Sequence, residues 1–172
     1  VVDEYQTFFA QLSDEKVKVL FVFHHFAHPI WFEAAGGWLV EDNIPAFLDF
    51  ARQCIEHFGE YVFIWNTFNE PNVYAFAGFL AGRFPPFRRS LRKANRVLKH
   101  LGIAHDIVYD IIKMSYPDHS VGISMNTVWA HAKHPLGFLP ARMLERWYHR
   151  KTAKIFDKVD YWGISYYAYI PF

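Results

Sequence analysis

One acid, Glu70, lies in the stretch WNTFNEPN, directly after an apolar run of the sequence. A lone acid in such a place is by default a solvated loop residue. Three other apolar runs also end in polar or aromatic groups, which are His24, His25 and His28; Asn126 and Trp129; and Tyr166 and Tyr167. Independent loops would rarely coincide in this way, so we interpret these residues together as one candidate site.

The side chains of this candidate site suit a neutral, hydroxyl-rich ligand such as a sugar. Aromatic rings cover the apolar face of a sugar, while amide, imidazole and phenol groups pair with its hydroxyls. A carboxylic acid such as Glu70 can then act as a general acid or base on the bound ligand. We therefore expect a carbohydrate substrate.

Four continuous apolar and aromatic runs predict the strands that position these residues. The runs span residues 17–26, 61–68, 120–128 and 159–167. Such runs are typical of strands that are buried on both faces of a parallel sheet. In barrels of parallel strands, catalytic groups project from the carboxyl ends of the strands, where these candidate residues lie.

Helical patterns precede or separate the four runs. One pattern lies between Asn43, a candidate N-cap, and Gly59, a stop signal. A second ends before Pro117, a third includes Tyr148, and a fourth occupies residues 1–12. We therefore expect helices in each connection between the predicted strands.

Strand, helix and strand repeat without a hairpin signal, which predicts parallel βα units with right-handed crossovers. An open doubly wound sheet and an eight-stranded barrel both fit, but no glycine-rich fingerprint follows any strand, which favours a barrel. A closed barrel takes about 250 residues and eight strands, whereas this chain has 172 residues. We expect an α/β fold, an incomplete (β/α)8 TIM barrel, with residues 1–172 as part of one catalytic domain truncated at both ends.

Four motifs resemble the family 1 glycoside hydrolases, the β-glucosidase and β-galactosidase group, in matching order across nearly the whole chain. They are HHFAHPIWF, GGW, WNTFNEPN and GISYYAY. The Asn-Glu-Pro triplet alone is weaker, because related barrel glycosidases also end their fourth strand with Asn-Glu. The chain departs from the family pattern at Ser165, where an asparagine is usual, and in the stretch GRFPPF. The resemblance implies a (β/α)8 barrel whose third to sixth strands are the four predicted here.

The resemblance also implies a function, hydrolysis of the O-glycosyl bonds of β-linked sugars by a retaining β-glycosidase. Glu70 matches the general acid/base, and Asn69 matches the ligand of the sugar hydroxyl next to the scissile bond. His25 matches the sugar-binding histidine, and Tyr167 matches the tyrosine that hydrogen-bonds the nucleophile. Trp65 matches a tryptophan of the fourth strand and is assigned to substrate binding with them.

A retaining glycosidase needs two carboxyl groups roughly 5 Å apart, and Glu70 can be only one of them. None of the remaining acids lies at the end of a predicted strand. In the family the nucleophile is a glutamate at the end of the seventh strand, which would fall after Phe172. The resemblance therefore implies that the nucleophile is missing from this chain and that the chain alone is inactive.

Charge and composition argue against several other functions. The formal charge of +1 offers no long-range attraction for nucleic acid or an anionic membrane, and the basic stretch 88–99 has the spacing of a solvated helix face. Neighbouring His24 and His25 point to opposite faces of a strand, so they cannot easily share a metal ion. We expect neither metal nor organic cofactor, and a small-molecule or oligosaccharide β-glycoside as the partner.

Several alternatives stay open at this point. A non-catalytic carbohydrate-binding remnant of the same barrel is the second hypothesis for function. Trp31, Phe32 and Trp38 fit a sugar platform and loop-packing anchors equally well. Cys54 is predicted to be a small buried hydrophobe, and the low cysteine usage favours a cytoplasmic location. The oligomeric state is left open.

Overall fold

Four strands form one parallel sheet in the order β1-β2-β3-β4. The computed structural model describes residues 1–171, without the side chains of residues 129–131 and 168–171. The strands are β1 (Val19–His24), β2 (Val62–Asn69), β3 (Ser120–His131) and β4 (Tyr161–Pro171). All four predicted strands are confirmed, and their sequential order without a reversal is the order of a barrel, not of a doubly wound sheet.

Helices occupy every connection between the strands, as the sequence predicts. They are α1 (Val2–Asp14), α2 (Ile30–Ala34), α3 (Ile44–Phe58), α4 (Pro71–Ala75), α5 (Leu91–Ser115), α6 (Phe138–Glu145) and α7 (Thr152–Ile155). Helix α4 continues into a π-helical turn at Phe76–Leu80, and α6 continues into another at Arg146–Lys151. Among the described residues, no helix combines the length and apolar character needed to span a membrane.

The predicted ends of α3 are confirmed, but the reasons differ from the prediction. Asn43 precedes the helix without capping it, and its side-chain nitrogen instead donates to the carbonyls of Ala35 and Gly37 at 3.2 and 3.0 Å. Gly59 ends the helix in a right-handed conformation with φ −56°. A Cβ at Gly59 would overlap the ring of Tyr116, so close approach of this ring requires the glycine.

The core lies between one face of the sheet and helices α1, α3 and α5. On that face, Phe23 stacks on Trp65 with ring centroids 5.2 Å apart and an interplanar angle of 14°. Phe58 of α3 contacts Phe9 of α1 and Phe21 of β1. Burial of each such side chain contributes roughly 1.5–3 kcal/mol, so this aromatic layer fixes the helices against the sheet. Cys54 is buried in the same layer, as predicted.

His105 links three elements within the core. The imidazole is fully buried on α5; its Nε2 donates to the Lys158 carbonyl at 2.7 Å, and its Nδ1 accepts from the Thr67 hydroxyl at 2.7 Å. Burial lowers the pKa of His105, so a neutral imidazole fits this pair of bonds. Strand β2 and the segment before β4 are thereby held to one helix.

A second network holds the segment that follows β1 and carries His25. Trp38 donates its indole N–H to Nε2 of the buried His24 at 3.3 Å, so the single proton of His24 lies on Nδ1. The ring of His28 stacks near His24 with centroids 5.8 Å apart, and His28 Nε2 lies 2.9 Å from Glu33 Oε2. Burial first, and then the charges of His28 and His25, lower the pKa of His24 to about 3.

The loop aromatics divide between packing and exposure. Phe32 and Trp38 are 4% and 2% exposed, so they are packing anchors and not a sugar platform. Trp31 is 61% exposed, so both interpretations stay open for this one residue.

Along β4, Trp162, Ile164 and Tyr166 are also exposed on one face of the strand, a face that helices would cover in a closed barrel.

The contact between β3 and β4 gives a stability prediction at Gly122. A Cβ at this position would overlap the backbone carbonyl oxygen of Tyr161, and a backbone atom cannot move aside easily. We expect Gly122→Ala to lower the free energy of unfolding by about 1–3 kcal/mol in urea titrations. Ser120→Ala on the same strand is the control and should change it by less; equal effects would contradict the close approach.

The buried His24 gives a prediction for pH dependence. Below its ordinary pKa of 6.5 the unfolded chain binds a proton at this imidazole, whereas the folded chain does so only near pH 3. The free energy of unfolding should therefore fall as the pH drops from 6.5 towards 3, by up to about 1.4 kcal/mol per pH unit from this group. Other buried imidazoles such as His105 add to the loss in the same direction.

The variant His24→Gln isolates this contribution, because glutamine still offers an acceptor to Trp38 but does not titrate. Urea unfolding at pH 7 and pH 5 should show a smaller loss of stability in His24→Gln than in the unmodified chain. His25→Gln, at the exposed neighbouring position, is the matched control and should keep most of the original loss, because the charge of His25 is the smallest of the three causes that lower the pKa of His24. An undiminished loss in His24→Gln would show that His24 is not held neutral by the fold.

Candidate active site

Glu70 lies directly after β2 and immediately before α4. Its backbone is left-handed, with φ 46° and ψ 56°, a conformation that non-glycine residues rarely adopt. The backbone N–H of Glu70 donates to the carbonyl of Ser124 on β3 at 2.7 Å, and the residue is only 6% exposed. Glu70 is therefore a buried acid held against the neighbouring strand and not a solvated loop residue.

The carboxyl group of Glu70 faces a pair of polar side chains that donate hydrogen bonds in series. Asn126 Nδ2 donates to Glu70 Oε1 at 3.4 Å, and Asn126 Oδ1 accepts from the Tyr148 hydroxyl at 2.9 Å. Asn126 and Tyr148 are 7% and 5% exposed. Burial, together with the negative charge of Glu70, raises the pKa of Tyr148, so its phenol remains a proton donor at neutral pH.

Asn72 joins the start of α4 to β3. Its side-chain Nδ2 donates to the carbonyl of Asn126 at 2.7 Å, and its Oδ1 accepts from the Asn126 backbone N–H at 3.3 Å. The side-chain amide thus pairs with β3 as the next residue of a strand would, although the chain has already turned into a helix. This pairing leaves no unpaired backbone group at Asn126, which matters because the residue is buried.

Three further predicted site residues lie at the same carboxyl edge of the sheet as Glu70. Asn69 is the last residue of β2 and is half-buried opposite Ser124, while His25 follows β1 and is exposed. Tyr167 is the extra residue of a bulge between β3 and β4 and is 76% exposed. In the described part of the chain, none of these three hydrogen-bonds to Glu70, so their sugar-binding roles stay predictions.

Trp65 does not lie at this edge, and its position does not support the assigned contact with substrate. Its side chain is fully buried in the layer between sheet and helices, where it packs on Phe21 and Phe23. Its indole N–H donates to His119 Nδ1 at 3.2 Å. The residue has no surface that a sugar could touch in this fold, so we correct its assignment to a core anchor of β2.

The sequence patterns do not predict the contacts that Asn72 and Tyr148 make with the site. Asn72 stands beside Pro71 in the motif, but only the partner strand shows that its amide pairs with a backbone. Tyr148 belongs to an apolar helical pattern, which hides the role of its hydroxyl. Asn126 was singled out only as a polar group at a strand end, and its side-chain contacts define the site around Glu70. The side chain of Trp129 lies outside the described residues.

Metal binding finds no support among the side chains that the structure describes. They contain no group of three or more histidine, cysteine, aspartate or glutamate side chains placed to hold a metal ion. The donor set around Glu70 consists of amide and phenol groups, which are better suited to positioning a carboxyl group than to binding a cation. A buried carboxyl group that is oriented by a neutral amide can donate or accept a proton.

Comparison with known proteins identifies relatives of the chain. The sequence model of glycosyl hydrolase family 1 matches residues 2–145. A 6-phospho-beta-galactosidase of Clostridium acetobutylicum is 34% identical over 121 residues, which cover 67% of this chain and 26% of that protein. Human lactase/phlorizin hydrolase is 32% identical over 151 residues, which cover 84% of this chain and 8% of that protein.

Solved structures show the same fold. A beta-glycosidase from Pyrococcus horikoshii matches with a TM-score of 0.88 and 26% identity, over 96% of this chain and 43% of that chain. A beta-glucosidase from Thermotoga maritima in complex with deoxynojirimycin matches with a TM-score of 0.85 and 22% identity, over 99% and 45%. This chain thus spans less than half the length of each of these four relatives. The chain belongs to glycosyl hydrolase family 1, and its four strands with their helices form part of the (β/α)8 barrel of that family.

Proposed function

We propose that this chain carries the acid/base half of a retaining β-glycosidase active site, with Glu70 as the residue that donates and accepts the proton. The observation that carries the proposal is the buried carboxyl group of Glu70, which lies at the carboxyl edge of the sheet and is oriented by Asn126. In barrels of this kind, that edge is where catalytic groups converge. Membership of a glycoside hydrolase family supports the same reading.

The reaction would proceed in two steps. Protonated Glu70 gives its proton to the glycosidic oxygen while a second carboxylate attacks the anomeric carbon, which breaks the bond to the leaving group and forms a glycosyl-enzyme. Ionised Glu70 then takes a proton from water as that water attacks the same carbon and releases the sugar. Glu70 ends in its starting state, and neither step requires a metal or an organic cofactor.

The substrate class that fits is a small-molecule or oligosaccharide β-glycoside. His25 follows β1, Asn69 ends β2, and Tyr167 lies at a bulge within β4. They offer imidazole, amide and phenol groups to sugar hydroxyls. Relatives carry the names of a 6-phospho-beta-galactosidase, beta-glucosidases and a lactase/phlorizin hydrolase. Because these names differ in the sugar, we propose the β-glycoside class and not one sugar within it.

The second carboxylate would come from outside this sequence. Among the described residues, Glu70 is the only acid that ends or directly follows one of the four strands. We propose that residues 1–172 are one part of a larger catalytic domain that also supplies the nucleophile. The purified 172-residue chain should therefore show no glycosidase turnover.

A carbohydrate-binding role without catalysis is the second candidate, and the same observation favours it. A site with one acid and several polar and aromatic neighbours can bind a sugar but cannot complete a double displacement. Sugar binding by the full barrel without turnover would support this candidate. Turnover that depends on Glu70 would exclude it.

The substitution Glu70→Gln in the complete enzyme that contains this sequence tests the proposal. Glutamine keeps the shape of the side chain but cannot donate a proton, so kcat for glycosides with poor leaving groups should fall by about 10²–10⁴. Aryl glycosides with acidic phenols leave without protonation, so their first step should be much less affected. Steady-state kinetics on the two substrate types measures the difference.

Glu60→Gln is the matched control, because Glu60 is an exposed glutamate at the opposite end of β2. It should keep kcat for both substrate types. Added azide should restore turnover of activated glycosides in Glu70→Gln, since an anionic nucleophile needs no general base. Undiminished hydrolysis of poor substrates by Glu70→Gln would rule out the acid/base role of Glu70.

A further inference from the structure

We infer that Asn126 and Tyr148 act together as positioning residues that reserve Oε1 of Glu70 as a hydrogen-bond acceptor and leave Oε2 as the oxygen that carries the catalytic proton. The inference rests on the proposed function, because it assigns the proton-transfer step to one atom of the proposed acid. It also makes a statement about orientation in the free protein, which can be tested without activity.

The Tyr148 hydroxyl sets the orientation of the Asn126 amide. A phenol has one proton to donate, and here it points to Asn126 Oδ1 at 2.9 Å. Because the phenol is buried and stays protonated, its proton needs an acceptor, and the amide oxygen is the one that the structure provides. With the oxygen of the amide facing Tyr148, its nitrogen must face Glu70.

The backbone of Asn126 is fixed as well, so the side chain cannot easily swing to another partner. Both the N–H and the carbonyl of Asn126 pair with the side-chain amide of Asn72, at 3.3 and 2.7 Å. Both asparagines are buried, with Asn72 fully so. The amide nitrogen of Asn126 is therefore presented to Glu70 from a rigid position.

This geometry distinguishes the two oxygens of the carboxyl group. The Asn126 nitrogen can only donate a hydrogen bond. A proton on Glu70 Oε1 would therefore clash with the hydrogen of the Asn126 N–H group. The proton of the acid form is therefore placed on Oε2, which has no hydrogen-bond partner among the described residues. The separation of 3.4 Å is long for such a bond, as catalytic hydrogen bonds often are before substrate binds.

The opposite orientation of the Asn126 amide predicts the opposite change in the protonation of Glu70 when the amide is removed. An experiment can therefore distinguish the two orientations. If the amide were flipped, its oxygen would face Glu70 and would stabilise the protonated acid. Removing the amide would then favour ionisation. In the orientation inferred here, the amide nitrogen stabilises the ionised form, so removing it should make Glu70 hold its proton to a higher pH.

The test is an NMR titration of the 172-residue chain with ¹³C-labelled glutamate, following the side-chain carboxyl carbon of Glu70. Glu70→Gln assigns the resonance by removing it. Asn126→Leu removes both amide groups at similar volume and should move the titration midpoint to higher pH. Tyr148→Phe leaves the amide in place but frees its orientation, so it should raise the midpoint by less.

Tyr161→Phe is the matched control, since Tyr161 is a partly buried tyrosine whose hydroxyl donates to a backbone carbonyl, that of Trp65, at 3.2 Å. It should leave the midpoint unchanged. A midpoint that stays the same or falls in Asn126→Leu would overturn the inference. If Asn126→Leu does not fold, Tyr148→Phe decides alone, and an unchanged or lowered midpoint there overturns the inference.

The same variants separate this inference from the proposed function. In the complete enzyme, Tyr148→Phe should move the alkaline limb of the kcat/KM profile to higher pH, a shift that a merely structural loss of folded protein would not produce. If the NMR midpoints shift as expected while Glu70→Gln keeps its activity, the orientation of the carboxyl group stands and the acid/base role falls. If the NMR midpoints do not shift while Glu70→Gln loses its activity, the acid/base role of Glu70 stands and the inferred orientation of its carboxyl group is wrong.

Discussion

The pairing between the side-chain amide of Asn72 and the backbone of Asn126 is the contact on which the arrangement of the site depends. Strand β2 ends at Asn69, and the chain must turn into α4 within two residues. The backbone N–H of Glu70 still bonds to β3, and the amide of Asn72 then takes the following place along that strand. The sheet therefore continues to hold the chain after the strand itself has ended.

This arrangement explains how a left-handed glutamate persists in the fold. A non-glycine residue in that conformation costs on the order of 1–3 kcal/mol. Each buried hydrogen bond contributes about 0.5–1.5 kcal/mol, so the three bonds that Glu70 and Asn72 make to the backbone of β3 are of the right size to offset the cost. Because the left-handed turn places the carboxyl group beside Asn126, the strain is part of what creates the site.

The neighbours of Glu70 are neutral, and this matters for proton transfer. In the described part of the chain, Glu70 forms no ion pair, and its hydrogen-bond partner is an amide supported by a phenol. A lysine or arginine in the place of Asn126 would hold the carboxyl group in its ionised form through a much stronger interaction. A neutral donor orients the carboxyl group without holding it in one charge state as an ion pair would, which suits the proposed acid/base role of Glu70.

The sequence predicts the elements well and the contacts between them poorly. Strands and helices follow from local patterns, as α3 between Asn43 and Gly59 shows, although the bonds made by Asn43 depend on a loop that no local pattern specifies. Glu70 was found because its motif is local. The amide of Asn72 bonds to a partner 54 residues away in the sequence. Trp65 lies on the core face of β2, where it packs against Phe21 and Phe23 of the neighbouring strand.

Hydrogen exchange of the backbone amides of Glu70 and Asn126 tests the central claim most directly. Both N–H groups are predicted to exchange as slowly as amides in the middle of β2 and β3, because one bonds to the Ser124 carbonyl and the other to the Asn72 side chain. Asn72→Ala should speed exchange at Asn126 and leave the middle of β2 protected. Exchange of both amides in the unmodified chain at the rate of an exposed loop would contradict the account, because nothing would then hold Glu70 against β3.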